Sequence, residues 1–454
     1  MKNIRCFEDL SLNFTHDNGK VRRWTCLLGN NGVGKTVILN CVAMALAGGL
    51  PADELLHDPR SWIKRGRNKG LIEATIAPGK EDIFGGDLTI RYWLIGDRRI
   101  KIDGSYYEGP SIVPDPTLED YKVFTDALWT EIGCFACGYG PTRRIPSELE
   151  LSRKENRSFR YPRSANFVTM FDESALLGEL EYWLADLEFV KYKKKDYESY
   201  SMFGKARRAL NTLLGDEVKF IEITPDKKAL FKTPDGKVTL THLSSGYQGI
   251  ISWAGDLLVR LVQSFAELSN PLAGGGVVLI DEIDAHLHPK MQRDIVQFVR
   301  NRFPRLQFII SSHSPFVAQA LDAGEIIVME RLDKKIITKQ IEETYKGWSP
   351  DQIFSSQLFG LSTLVDKETE KDLNRLRGLA AKKLKTKKEK EDFENLSAAV
   401  DHILPESGKT EEERGKRKEL RSVLRNTEEL FRQYQVLKRG SSNTSKKYGK
   451  KRSG

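Results

Sequence analysis

Gly29-Asn30-Asn31-Gly32-Val33-Gly34-Lys35-Thr36 is the stretch that decides the fold. It follows the apolar run Thr25-Cys26-Leu27-Leu28 and opens into Val37-Ile38-Leu39-Asn40-Cys41-Val42-Ala43, which reads as helix. G-x-x-x-x-G-K-[ST] between a strand and a helix is a phosphate-binding loop. Its glycines let backbone N–H groups turn inward around an anion, and the helix N-terminus adds its positive end. A chance glycine-rich turn would lack those flanks. The spacing assigns Asn30, Asn31, Gly32, Val33 and Gly34 to the cradle, Lys35 to the β- and γ-phosphates, and Thr36 to Mg²⁺ through its hydroxyl. The sequence predicts binding of a nucleoside triphosphate.

Two later stretches answer this loop. Gly276-Val277-Val278-Leu279-Ile280-Asp281-Glu282-Ile283-Asp284 is an apolar run ending in carboxylates. That pattern predicts a buried parallel strand carrying acids to the carboxyl edge of an α/β sheet, where ligands bind. Asp281 is expected to support Mg²⁺ through its hydration shell, and Glu282 to polarise an attacking water as general base. Phe308-Ile309-Ile310-Ser311-Ser312-His313-Ser314-Pro315 reads as a second buried strand presenting His313 at the same edge. The alternative is a core histidine, but a His-Ser-Pro turn closing an apolar strand favours contact with the γ-phosphate. Between loop and acids lies Leu243-Ser244-Ser245-Gly246-Tyr247-Gln248, followed by a helical run from Ile250 to Leu268. L-S-x-G alone is a common N-cap, and its position ahead of the acidic strand gives it weight.

Composition sets the class. The chain has 454 residues, 39% hydrophobic and 30% charged, as in a soluble globular protein. No apolar run approaches the ~18 residues of a membrane span, and Met1-Lys2-Asn3-Ile4-Arg5 has no signal-peptide pattern, so a cytoplasmic protein without a membrane role is expected. Five scattered cysteines make no disulfide framework, and Cys134-x-x-Cys137 within apolar sequence reads as buried strand, not a zinc or redox pair. A net charge of +9 leans toward a polyanionic partner such as DNA.

In chain order, Asn3 to Phe14 predicts an edge strand, a turn and a second strand. Leu71–Ile76, Leu88–Ile95 and Arg99–Ile102 predict antiparallel strands of a β-layer beside the nucleotide. Ile132–Gly140 reads as strand, ending in Gly138-Tyr139-Gly140-Pro141-Thr142-Arg143-Arg144. Arg143 and Arg144 are open between contact with nucleotide or nucleic acid and a solvated pair. From Leu151 a basic loop leads to amphipathic helices over Ser174–Phe189 and about Ser201–Leu214, and Val218–Ile223, Ala229–Lys232 and Val238–Thr241 return to strand. The expected organisation is a first ATPase segment over 1–150, an α-helical insertion over 151–214, a second ATPase segment over 215–345, and a basic helical region over 346–454. Charged helices are expected over Lys367–Leu396 and Glu411–Leu437 before a basic tail.

The ordered set GNNGVGKT, LSSGYQ, VVLIDEIDAHLHP and ISSHSPF resembles the ABC-type ATPase heads shared by SMC proteins, RecF and OLD nucleases. Among these it is most similar to stand-alone phage-defence ATPases of the Septu PtuA kind. The resemblance covers about residues 1 to 340, with NIRCFEDLSLNF, GYGPTRR and FDESALLGELEYWLADLEF matching the group's opening strand, mid-domain turn and insertion helix. It implies an α/β fold, an ABC-type P-loop head with a flanking antiparallel β-layer, a helical insertion and a basic helical C-terminal region. It also implies ATP and Mg²⁺, and a homodimer or higher homo-oligomer. There Lys35 of one subunit and Ser244, Ser245, Gly246 and Gln248 of the other close over one ATP. Asp284 would lie on the loop across that interface, and His313 would be the switch histidine. His286-Leu287-His288 then reads as a rigid loop before a helix starting at Pro289, because no third metal ligand lies at metal-site spacing. The signature departs from LSGGQ, and no Q-loop glutamine can be placed.

The region after Thr344 holds no heptad arm and no clustered acidic nuclease site, so any nuclease, of HNH type by the Septu resemblance, is expected on another polypeptide. An anti-phage ATPase controlling such a nuclease is the leading expectation, with a RecF-like ATP-gated DNA-binding repair protein as the alternative.

Overall fold

The computed structural model describes residues 1–396 apart from 83, 98, 103, 116–117, 119, 130–133, 144–158, 176, 178, 195–196, 334, 360–366, 381–385, 387, 390 and 393–394. The chain divides into two compact units, Met1–Ser362 and Thr363–Gly454.

The first eight strands in chain order are β1 (Lys2–Ile4), β2 (Phe7–Asp9), β3 (Trp24–Gly29), β4 (Lys69–Ile76), β5 (Leu88–Ile95), β6 (Ile100–Ile102), β7 (Ser105–Tyr107) and β8 (Ser111–Pro114). They continue with β9 (Ala136–Tyr139), β10 (Lys219–Ile223), β11 (Ala229–Thr233), β12 (Gly236–Thr239), β13 (Gly276–Ile280), β14 (Leu306–Ser312), β15 (Ile326–Leu332) and β16 (Lys335–Ile341). The central sheet has the order β16-β15-β3-β14-β13-β9. All its pairings are parallel except the hairpin β15–β16.

The apolar runs have a simple cause. On β3, Trp24, Cys26 and Leu28 enter one core and Leu27 enters another; β13 and β14 divide likewise, Ile280 and Ile310 on one side, Leu279 and Ile309 on the other. A strand covered on both faces has no position left for a polar residue. One face packs on the helix Ser245–Ser264 through Ile251, Trp253, Leu257 and Leu261. The other packs on the helix Lys35–Ala47 through Ile38, Leu39 and Ala43. That second helix turns Cys41, Met44 and Ala45 into a further core with Ile72, Ile90, Tyr92 and Leu94 of the antiparallel sheet β2-β1-β4-β5-β8. Held between two sheets, it carries apolar side chains on both faces, and its buried Asn40 donates to the Met170 carbonyl. Trp24 stacks on Phe308 with ring centroids 4.9 Å apart, a pairing worth about 0.5–1.5 kcal/mol beyond its buried area.

The helices Glu179–Lys194 and Tyr197–Leu214 pack Leu180, Leu184, Ala206 and Leu210 into the core of the Ser245–Ser264 helix. A small sheet, β10-β11-β12, adds Phe220 and Phe231 to it. Cys134 and Cys137 are buried free thiols beside or on β9.

Several boundaries differ from the sequence reading. The second strand ends at Asp9, because Phe14 and Thr15 meet Arg22 and Val21 instead of the sheet edge. β6 pairs with β7 in a separate ribbon and adds nothing to the β-layer. The helix expected from Ser174 starts at Glu179, after Asp172 has turned the chain by accepting the Ser174 amide. In the second unit the helix Lys367–Ala380 is described, whereas the expected helix 411–437 and the basic tail lie outside the described residues. Among the described residues no helix is long and apolar enough to cross a membrane.

Candidate functional site

The parallel strands end together, and their carboxyl edge collects the residues singled out above. Gly29 closes β3 so tightly that a Cβ there would lie 2.4 Å from the Met329 carbonyl oxygen. Gly32 and Gly34 have φ of 77° and 94°, which glycine adopts without strain. Gly34 also lies against the β1–β2 turn, where a Cβ would meet the Phe7 ring at 2.7 Å and the Cys6 sulfur at 2.9 Å. The helix Lys35–Ala47 starts without any side-chain cap, leaving its first-turn N–H groups for an anion. Lys35 Nζ donates to the carbonyls of Gly29 at 2.8 Å and Asn30 at 3.1 Å, curling the loop over its own ammonium group. Burial lowers the Lys35 pKa, and Asp281 and Glu282 partly offset this.

Thr36 donates its hydroxyl to Asp281 Oδ2 at 2.7 Å. Ser311, at the end of β14, donates to the other Asp281 oxygen and accepts the Glu282 N–H at 2.8 Å. Asp281 is 2% exposed, and its own N–H donates to the Tyr139 carbonyl at 2.8 Å. Glu282 has φ 49°, left-handed for a residue with a Cβ; such a conformation costs of order 1–3 kcal/mol and persists only where surroundings hold it. Arg143 supplies part of that hold, donating from Nη1 to the Asp281 carbonyl at 2.5 Å and from Nη2 to the Glu282 carbonyl at 2.6 Å. It is buried and bonded to main-chain carbonyls, so it is not the solvated loop arginine that was one of the two sequence readings. Arg144 lies outside the described residues.

His313 is half-buried, and its N–H donates to Asp284 Oδ1 at 3.4 Å. Burial lowers its pKa and the Lys35 charge lowers it further, against the pull of Asp284, Glu282 and Asp281. Gln292 ties the two turns together. It donates to the Leu287 carbonyl at 2.9 Å and accepts from Ser314 Oγ at 2.8 Å. His288 caps the helix Pro289–Arg302, and among the described residues no three His, Cys, Asp or Glu side chains form a metal cluster.

Lys35, Thr36, Asp281, Glu282, Asp284 and His313 therefore share one edge. The signature stands beside Met291 and Leu287: a Cβ on Gly246 would meet the Met291 sulfur, and a Cβ on Gly249 would lie 3.6 Å from Leu287. Ser244 is exposed at the start of the helix Ser245–Ser264, without a side-chain cap bond. Gln248 turns back to donate to the carbonyls of Thr241 at 2.8 Å and Leu243 at 2.7 Å. Sequence reasoning missed Ser311, Gln292 and Arg331, whose Nη2 donates to the Gly32 carbonyl at 2.9 Å. The serine was legible only as part of Ser311-Ser312-His313; no pattern marked the other two.

The arrangement offers uncapped amides and a lysine for phosphate, and hydroxyl and carboxylate oxygens suited to a hard divalent cation such as Mg²⁺. Residues 24–318 match the family model described as "AAA domain, putative AbiEii toxin, Type IV TA system". The chain is 26% identical to the Septu protein PtuA of Bacillus mycoides (strain KBAB4) over 400 residues, 87% of this chain and 48% of that protein. It is 42% identical to the Retron Vc95 probable ATPase of Vibrio cholerae serotype O1 biovar El Tor over 118 residues, 26% of this chain and 23% of that protein. The chain thus spans about half the length of the first relative and about a quarter of the second. Among solved structures, an SMC head bound to the C-winged helix domain of ScpA superposes with a TM-score of 0.43 at 14% identity, covering 75% of this chain and 96% of that one.

Proposed function

The chain belongs to the AAA-domain family whose model it matches, and from that premise we propose that it is an ATP-hydrolysing subunit of an anti-phage defence system. The observation that carries the reading is the meeting of Lys35, Thr36, Asp281, Glu282 and His313 at one sheet edge. They come from the ends of β3, β13 and β14 and are linked by the Thr36–Asp281 bond of 2.7 Å.

In this reading the amides of Gly32 to Thr36 and the Lys35 ammonium bind the triphosphate. Thr36 and Asp281 would hold Mg²⁺, which would supply charge neutralisation to the triphosphate. Glu282 accepts a proton from the attacking water as general base. His313, whose pKa burial and the Lys35 charge lower, hydrogen-bonds the departing phosphate. Asp284 and Gln292 hold its turn. Ser244, Ser245 and Gly246 close over the nucleotide of a second subunit.

Support for the defence role comes from the similarity to a Septu protein and a retron ATPase. The Septu resemblance further suggests a separate HNH-type nuclease that ATP-driven dimerisation holds or releases, with DNA as its target. Co-purification from the native operon, with and without ATP, tests this. A nuclease retained in one nucleotide state and released in the other supports the reading, and a chain that recovers no nuclease in either state removes the effector half.

A further inference from the structure

We infer that Arg143 is the positioning residue for Glu282: its guanidinium holds the main chain of Asp281 and Glu282 in the left-handed turn that presents the general base to the phosphate loop. The inference rests on the reading of Glu282 given above.

Glu282 at φ 49° would relax to an ordinary backbone conformation if its peptide groups were free. They are not free. Its N–H is taken by Ser311 Oγ at 2.8 Å, and its carbonyl accepts from Ala285 N–H at 2.8 Å and Arg143 Nη2 at 2.6 Å. Arg143 Nη1 takes the preceding carbonyl, that of Asp281, at 2.5 Å. Two donors of one planar fork on two successive carbonyls fix the relative orientation of the two peptide planes that flank the Glu282 Cα, which a point-like ammonium cannot do.

Arg143 is 6% exposed. Burial lowers its pKa to about 10 against the attraction of Asp281, Asp284 and Glu282. Its third hydrogen bond, to the Gly140 carbonyl at 3.4 Å, joins this charge to the turn that ends β9. Every hydrogen bond Arg143 makes among the described residues thus ends on a main-chain carbonyl. An arginine used in this way acts on the shape of the chain. The base it shapes stands close enough to Lys35 and His313 to perturb both.

The test is Arg143→Lys in the full chain, measured for nucleotide affinity, kcat and apo melting temperature. Lysine keeps the charge and loses the fork, so kcat should fall at least about tenfold, with affinity within about threefold. Added guanidinium, well below denaturing concentration, should restore part of the turnover of Arg143→Ala and none of Glu282→Gln. A readout independent of turnover uses Glu282→Gly, which removes the left-handed cost. In that background Arg143→Lys should lower the melting temperature less than in the natural chain. Equal losses in both backgrounds, or an Arg143→Lys protein with natural kcat, overturn the inference. Should Arg143→Ala not fold, the lysine variant and the melting cycle decide. Wild-type turnover by Glu282→Gln would defeat the general-base reading, whereas an inactive Glu282→Gln beside a fully active Arg143→Lys would defeat only the positioning role.

Discussion

Thr36 and Asp281 are joined at 2.7 Å although 245 residues separate them. One opens the helix after the phosphate loop and the other ends the acidic strand, so the two oxygen ligands proposed for Mg²⁺ are already side by side. Thr36→Val keeps the shape and removes the oxygen. Even an outer-shell partner is worth roughly 10–100-fold in metal affinity, so the Mg²⁺ concentration for half-maximal ATP turnover should rise at least about tenfold. An unchanged Mg²⁺ titration would place the metal elsewhere.

Glu282→Gln should keep ATP binding and lose most hydrolysis, because Lys35, Thr36 and Asp281 remain while the proposed base is gone. Loss of a general base typically costs ~10²- to 10⁴-fold. Single-turnover assays on protein with saturating bound ATP give the number directly, and natural turnover would sink the assignment.

Assembly across two subunits predicts complementation. Ser244→Arg should block hydrolysis with little change in ATP affinity, since the phosphate loop of the same subunit is untouched. Mixed with Lys35→Ala it should recover part of the activity, because one composite site in the mixed dimer carries neither lesion. Inactive mixtures, with heterodimers shown to form, would exclude a shared site.

His313 predicts a pH effect of definite sign. Its pKa in the folded chain lies below the ordinary 6.5, first through burial and then through Lys35. Between that lowered value and 6.5 the folded state binds fewer protons than the unfolded one, so stability rises with pH there and is lost as pH falls. Above 6.5 both states are neutral and the group contributes nothing. Urea unfolding of the natural chain and of His313→Gln should therefore diverge below that pH, the variant losing less stability on acidification. Parallel curves from neutral to acidic pH would refute it.

The two ends of the phosphate loop should respond differently to one methyl group. At Gly32 no atom lies within 4 Å of the place a Cβ would take, and only φ 77° opposes alanine, a cost of roughly 1–2 kcal/mol. At Gly29 the new atom would sit 2.4 Å from the Met329 carbonyl oxygen, adding overpacking of about 1–3 kcal/mol or more. Gly29→Ala should thus melt lower than Gly32→Ala, and equal melting temperatures would show that β15 yields to it.

What the sequence revealed and what it hid divide along a physical line. Strands buried on both faces, such as β13 and β14, announce themselves as unbroken apolar runs, and glycine with lysine announces a phosphate loop. Glu282, His313 and Asp284 were legible because each follows such a run. Arg143, Ser311 and Gln292 were not, since their work is to bind main-chain groups or one another across the fold, which leaves no spacing in the sequence. Arg143 was noticed, yet on sequence a buried guanidinium and a solvated one look the same. The short β2 was misjudged for a related reason: apolar residues at Leu12 and Phe14 alternate like a strand but pack, half-buried, against the core that holds Ile38 and Leu39.

The position of β3 bears on how the protein is made. In the central sheet its neighbours are β14 and β15, so the strand that carries the phosphate loop leaves the ribosome long before either partner exists. The loop's lip waits too, since Arg331 of β15 holds the Gly32 carbonyl. A growing chain halted before residue 306 should expose β3 without its β14 and β15 partners and bind no nucleotide. Nucleotide binding by a nascent chain would then require that translation has passed β15.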